Sequence, residues 1–164
     1  MRKRDAEVLY LAYFDRLTEL RNRVGFEKAA SEFIGRAKPG EHAAVATLEV
    51  ASSTQINGIL GHEVSDEVIR AVAAKLVSTL PAPRIVGRLA RDEFAVLLFD
   101  GNERDPQSTL TSVIAQFDSP LQVVRQSVYA RINVGWAQLH DDDPDFAMIV
   151  RRADMALNVA KARQ

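Results

Sequence analysis

The stretch Arg88-Leu89-Ala90-Arg91-Asp92-Glu93-Phe94 decides how this chain is read. It lies between two strand-like runs, Arg84 to Leu89 and Phe94 to Phe99, and therefore reads as the tip of a β-hairpin. A tight hairpin turn favours Gly, Asn or Asp where the backbone takes positive φ. Here two adjacent acids follow Ala90 and Arg91. Neighbouring carboxylates repel unless a cation or basic group holds them, which makes the tip a candidate metal site. Arg91 argues the other way, because a turn that lets phosphate approach needs bare backbone. The hairpin reads as an active site that has lost part of its chemistry.

Working outward, the apolar spacing gives helices over Arg2 to Phe14 and Val24 to about Ile34, then a buried strand from Ala43 to Val50. Val64, Val68, Val72 and Leu76 form one helical stripe, closed by Pro81 and Pro83. After the hairpin, Asp100-Gly101-Asn102 signals a turn and Leu110 to Phe117 a short helix. Strands are expected at Leu121 to Val124 and Val128 to Gln138. Asp143-Pro144 supplies an N-cap and a first-turn proline for a closing helix that buries Phe146, Ile149, Val150, Ala153, Leu157 and Ala160. The expected order is helix, helix, strand, helix, helix, strand, strand, helix, strand, strand, helix. Hairpins mixed with helix pairs imply an α+β domain with helices packed on a sheet, not a fully parallel one.

The 164 residues suffice for one domain with its own core. An apolar fraction of 47%, a charged fraction of 26% and a net charge of −1 give no electrostatic advertisement for nucleic acid. With no cysteine there is no disulfide or thiolate metal site. No apolar run approaches a membrane span and no signal peptide opens the chain, so a cytoplasmic location is expected.

Four ordered motifs resemble the GGDEF domain of diguanylate cyclases. Asp15-Arg16-Leu17-Thr18-Glu19-Leu20-Arg21-Asn22-Arg23, with Phe26, is similar to D-x-L-T-G-L-x-N-R-x-x-F. Ile56-Asn57, Gly61-His62 and Asp66 resemble I-N-D-x-x-G-H-x-x-G-D. The hairpin occupies the place of R-x-G-G-D-E-F, and Ala153-Asp154-Met155-Ala156-Leu157 with Ala160-Lys161 resembles A-D-x-A-L-Y-x-A-K. The resemblance implies a nucleotidyl-cyclase or palm-like fold with a central, mostly antiparallel five-stranded sheet. It also implies boundaries, with residues 1–14 a signalling helix or linker and residues 15–164 the GGDEF-like domain. Active members join two GTP molecules into cyclic di-GMP.

The departures bear on function. The family's metal-binding D-x-D is here Glu49-Val50-Ala51, so Glu49 remains able to ligate and Ala51 does not. The following phenylalanine and lysine are Ser53 and Thr54, the Asp of I-N-D is Gly58, and the paired glycines are Ala90 and Arg91. The product-binding R-x-x-D is replaced at Pro81 and Arg84. Metal-assisted attack on a phosphate needs cation, phosphate and nucleophile in line. No catalytic residue is expected from the signature Ala90, Arg91, Asp92, Glu93 and Phe94, and the domain is expected not to be an enzyme.

What the resemblance leaves is a conditional site. Asn57 and Asp66 match guanine-recognising positions but also suit helix caps. Glu49 and Asp92 match metal ligands, against a reading in which Arg91 folds back as counter-ion to Asp92 or Glu93, with Arg88 also near them in sequence. Lys161 matches a phosphate-facing lysine but also complements a helix C-terminus. His62 and Trp136 read as structural. No cofactor is required, and Mg²⁺ is expected only if nucleotide still binds. The expected role is a non-catalytic regulatory or scaffolding domain of a bacterial cyclic di-GMP signalling protein. The start in a charged helix and the ending Ala162-Arg163-Gln164 read as cuts through linkers. Expected partners are an upstream sensor domain, a downstream EAL-type phosphodiesterase-like domain and a second copy through the first helix. A GTP-binding sensor without turnover, or a weak cyclase, are the alternatives.

Overall fold

The computed structural model describes residues 2–38, 41–51, 62–99, 105–124, 126–140, 143 and 145–163. Helices α1 (Lys3–Tyr13) and α2 (Arg23–Ile34) precede strand β1 (Ala43–Val50) and helix α3 (His62–Thr79). Strands β2 (Ile85–Ala90) and β3 (Glu93–Phe99) form the hairpin, followed by α4 (Pro106–Ala115) and a 3-10 turn (Gln116–Asp118). Strands β4 (Leu121–Val123), β5 (Gln126–Val128) and β6 (Ile132–Gln138) lead to α5 (Phe146–Ala162). Residues 52–61 lie outside the described residues, as do Asp100-Gly101-Asn102 and Pro144.

The main sheet is antiparallel in the order β2-β3-β1-β6. It has four strands where five were expected. Leu121–Val123 pairs locally with Gln126–Val128 in a separate ribbon, turned through Val124 at φ 46°, and the ribbon packs on α3. The single strand expected from Val128 to Gln138 is likewise two strands, interrupted at residues 129–131.

Strand β1 is covered on both faces, which is why it reads as an apolar run rather than as an alternation. Its even-numbered residues Ala44, Ala46, Leu48 and Val50 share a core with Val68, Val72 and Leu76 of α3 and with Leu110 and Val113 of α4. Ala43 and Val45 face the other way, into a core with Phe26 and Ala30 of α2 and Phe146, Ile149, Val150 and Ala153 of α5. The two-residue period therefore sends Glu49 towards α5.

Two helix starts differ from expectation. The cap of α5 is Asp145, whose carboxylate accepts from Met148 N at 2.9 Å. Asp143, expected as that cap, instead accepts from His140 N at 2.6 Å and from Arg152 at 2.7 Å. Helix α4 begins earlier than Leu110, capped by Asp105 with Pro106 in its first turn. The Asp-Pro signal is real at 105–106.

Candidate functional site

The hairpin tip needs no positive φ. Ala90 pairs with Glu93 across Arg91 and Asp92, and the register shifts between Arg88 and Ala90. Among the described non-glycine residues only Glu19 and Val124 have positive φ. The bulge at Leu89 supplies the bend that a glycine turn would otherwise give.

Arg88 fixes this tip. Its backbone N–H donates to Arg21 O at 2.8 Å, and its Nη1 donates to both oxygens of Asp15 at 3.2 and 3.1 Å. Its Nε and Nη2 donate to Arg91 O at 3.1 and 2.6 Å. Asp15 also accepts from Thr18 N at 2.9 Å and Thr18 Oγ1 at 2.7 Å. Burial pushes the Asp15 carboxyl up, but Thr18 and Arg88 outweigh it and leave the group below its ordinary value. The Arg88 guanidinium, close in sequence to Asp92 and Glu93, thus serves Asp15, the first residue of the first motif.

The acids gather at the neighbouring edge. Glu49 stands opposite Glu93 on β3 and Asn133 on β6, and Asp92 O accepts from Val50 N at 2.9 Å. Lys161 Nζ donates to Glu49 Oε2 at 2.6 Å. That contact holds the Lys161 ammonium above its ordinary pKa, burial opposing it and Asp92 and Glu93 assisting. Lys161 therefore does more than complement a helix end.

Glu93 meets Asp154 of α5. Burial first, then the Asp154 carboxylate, push the Glu93 carboxyl up to about 7. Glu93 Oε1 and Asp154 Oδ1 are both buried without another hydrogen-bond partner, the arrangement of two carboxyls that share one proton. Arg23 approaches Asp154 Oδ2 only to 4.0 Å. Asp154 was quoted as a motif letter and not as a site residue. Its signal was an acid beside Ala153 and Leu157, on the buried stripe of α5.

Arg91 is exposed at the tip, and the salt bridges near it run Arg88–Asp15, Lys161–Glu49 and Arg23–Asp154. As a divalent-cation site the edge fits poorly. Glu49 is engaged by Lys161, Ala51 offers no ligand atom on its side chain, and no group of three or more acidic or histidine side chains is poised for a metal among the described residues.

The nucleotide residues are only partly visible. Asn57, with Ser53, Thr54, Gly58 and Gly61, and the side chain of His62 lie outside the described residues. Asp66 is exposed within α3, beyond its first turn, so it does not cap that helix. Farther along α3, Arg70, Ala73 and Val77 face Leu17 and Leu20 across a groove of about 680 Å³.

This geometry has relatives. The family model described as diguanylate cyclase, GGDEF domain, matches residues 12–164. The chain belongs to the GGDEF domain family. Among curated GGDEF relatives, the signalling protein YkoW of Bacillus subtilis is 28% identical over 98% of this chain and 20% of its own length. The diguanylate cyclase TpbB of Pseudomonas aeruginosa is 32% identical over 96% of this chain and 37% of its own length. The chain thus spans well under half of either protein. Among solved GGDEF structures, a sensory box/GGDEF family protein of Caulobacter crescentus superimposes with a TM-score of 0.82 at 26% identity, covering 93% of this chain and 99% of that one. No described helix is long and apolar enough to cross a membrane.

Proposed function

We propose that this GGDEF domain makes no cyclic di-GMP and acts as a regulatory or scaffolding module in a bacterial cyclic di-GMP signalling protein. The observation that carries the reading is the Lys161–Glu49 contact at 2.6 Å. An ammonium fills the charge requirement of the acid that a metal would need, while Ala51 and Arg91 stand where a second ligand and a bare turn would be wanted. Misplacing reacting groups by about 1 Å costs on the order of 100-fold in rate, and here several are changed together.

The module reading draws on the share of relatives that the chain covers, and on relatives named cyclic di-GMP phosphodiesterase NbdA and bifunctional diguanylate cyclase/cyclic di-GMP phosphodiesterase MucR. We take residues 1–14 as the connection to a sensor domain and residues 15–164 as the domain proper. An EAL-type phosphodiesterase-like neighbour, a cytoplasmic location and a homodimer complete the proposal. The test is incubation of concentrated protein with GTP and Mg²⁺ or Mn²⁺, followed by chromatography. Absence of cyclic di-GMP is expected, and its formation would overturn the reading.

A second reading, GTP binding without turnover, is favoured by one observation. Asp66 is exposed on α3 one turn before Arg70, and Arg70, not Asp66, lines the groove bounded by Leu17 and Leu20. In that case Asn57, Asp66 and Lys161 hold the nucleotide, with Lys161 released from Glu49. Calorimetry with GTP and Mg²⁺ decides it: saturable heat supports the sensor, and none at millimolar GTP removes it.

A further inference from the structure

Beside the hairpin tip lies an open groove of about 460 Å³, walled by Asp15, Arg23, Val24, Arg88, Leu89 and Arg91 among its lining residues. Three guanidinium groups and one carboxylate line it. Two of these charges cancel within the protein, because Arg88 is bonded to Asp15 at 3.1 and 3.2 Å and spends its remaining described bonds on Arg91 O. That second use matters for a ligand. A turn carbonyl facing the groove would repel an anion, and here it is already covered by two N–H donors.

Arg23 and Arg91 are left to set the sign of the groove. The contacts of Arg23 with Glu27 and Asp154 are 3.9 and 4.0 Å long, beyond hydrogen-bonding range, and its side chain is 45% exposed. Arg91 is exposed, and its backbone is anchored by Arg88, so the guanidinium springs from a fixed base. Val24 and Leu89 supply an apolar wall. The volume lies in the usual small-molecule range. Paired planar forks of N–H donors match the oxygens of a phosphate better than a point charge does.

We propose that this groove binds a compact phosphate-bearing anion, held between Arg23 and Arg91, with the Arg88–Asp15 pair as its rigid floor. The inference does not depend on whether the domain is a cyclase or a GTP sensor, since it uses neither Glu49, Asp66 nor Lys161. Arg91, a departure that spoils a bare phosphate-facing turn, acquires a use of its own.

The probe is inorganic pyrophosphate without metal, titrated into the whole chain by calorimetry. Saturable one-to-one binding is expected, weakened about tenfold by Arg91→Gln and about tenfold by Arg23→Gln, the loss of one charge-assisted contact each. Lys75→Gln should leave the affinity within about twofold, since Lys75 bonds Gln116 O at 2.7 Å and does not line this groove. Arg91 is exposed, so an unchanged melting temperature for Arg91→Gln verifies that folding is intact. Absence of saturable binding up to about 10 mM pyrophosphate overturns the proposal. So does binding that survives Arg91→Gln and disappears with Lys161→Met, which would put the anion at the nucleotide face.

Discussion

A carboxyl that keeps its proton near neutrality ties folding to pH, and Glu93 is such a group. It is held up at about 7 against an ordinary 4.5, by burial and then by Asp154. The folded state retains a proton that the unfolded chain releases, so this contribution is complete below about pH 4.5 and fades as pH climbs to about 7. Glu93→Gln stays neutral throughout. Urea denaturation should find the variant more stable than the parent by about 1–2 kcal/mol at pH 8, a figure already reduced for partial exposure, with the advantage shrinking towards pH 5. A variant weaker at pH 8 would refute the shared-proton pair. Glu19 offers a second test. It takes φ 60° at the position where the first motif carries glycine, and left-handed backbone costs a residue with a Cβ about 1–2 kcal/mol. Glu19→Gly should raise stability by about 1 kcal/mol in the same assay, the relief of strain exceeding the added freedom of the unfolded chain.

Between elements, single contacts set the geometry of the site. Arg88 joins the β2–β3 tip to the loop after α1 through Asp15, and the pair is largely withdrawn from solvent at 12% and 23% exposure. Asp15→Asn should cost about 2 kcal/mol and weaken the hold on Arg91 O, since the partner guanidinium loses its charge complement. Arg88→Lys should not restore that hold, because one ammonium cannot reach both a carboxylate and a turn carbonyl with paired donors. At β6, an added Cβ on Gly135 would lie 2.0 Å from Leu157 N and 2.4 Å from Ala153 O. Gly135→Ala should therefore force α5 off the sheet at a cost of about 3 kcal/mol, read from the urea midpoint, and carry Asp154 and Lys161 away with it. The sequence announced these elements unevenly. Periodicity placed α2, α3, β1 and α5 because each buries one stripe or both faces, and ordered motifs pointed to the hairpin. It misjudged β4 as a strand of the main sheet, since three residues that alternate do not say which neighbour they pair with. It set Arg88 only beside the nearby acids, because sequence proximity hides a partner as remote as Asp15. Lys161 on Glu49 was legible only as two separate motif letters; their meeting depends on the parity of β1 and the turn of α5.

For the whole molecule, α1 touches the packed body chiefly through its last turn, where Asn22 donates to Leu11 O and Tyr13 O. None of its residues is buried, and Val8, Leu9 and Leu11 are exposed. Removing residues 2–10 should move the melting temperature by less than about 4 °C, because among the described residues only the exposed Arg16–Glu7 ion pair and the Tyr10–Phe14 stack are lost. A larger drop would mean that α1 belongs to the folded core. The remaining body is organised around β1, whose two sheet neighbours both come later in the chain: Ala43 faces Phe99 and Ala44 faces Gln138. During synthesis at about 5–20 residues per second, this buried strand leaves the ribosome on the order of 10 s before its last partner exists. For that interval both of its edges are open for pairing with another nascent copy. The strand that is paired on both edges in the finished domain is, for a newborn chain, the segment most in need of a chaperone.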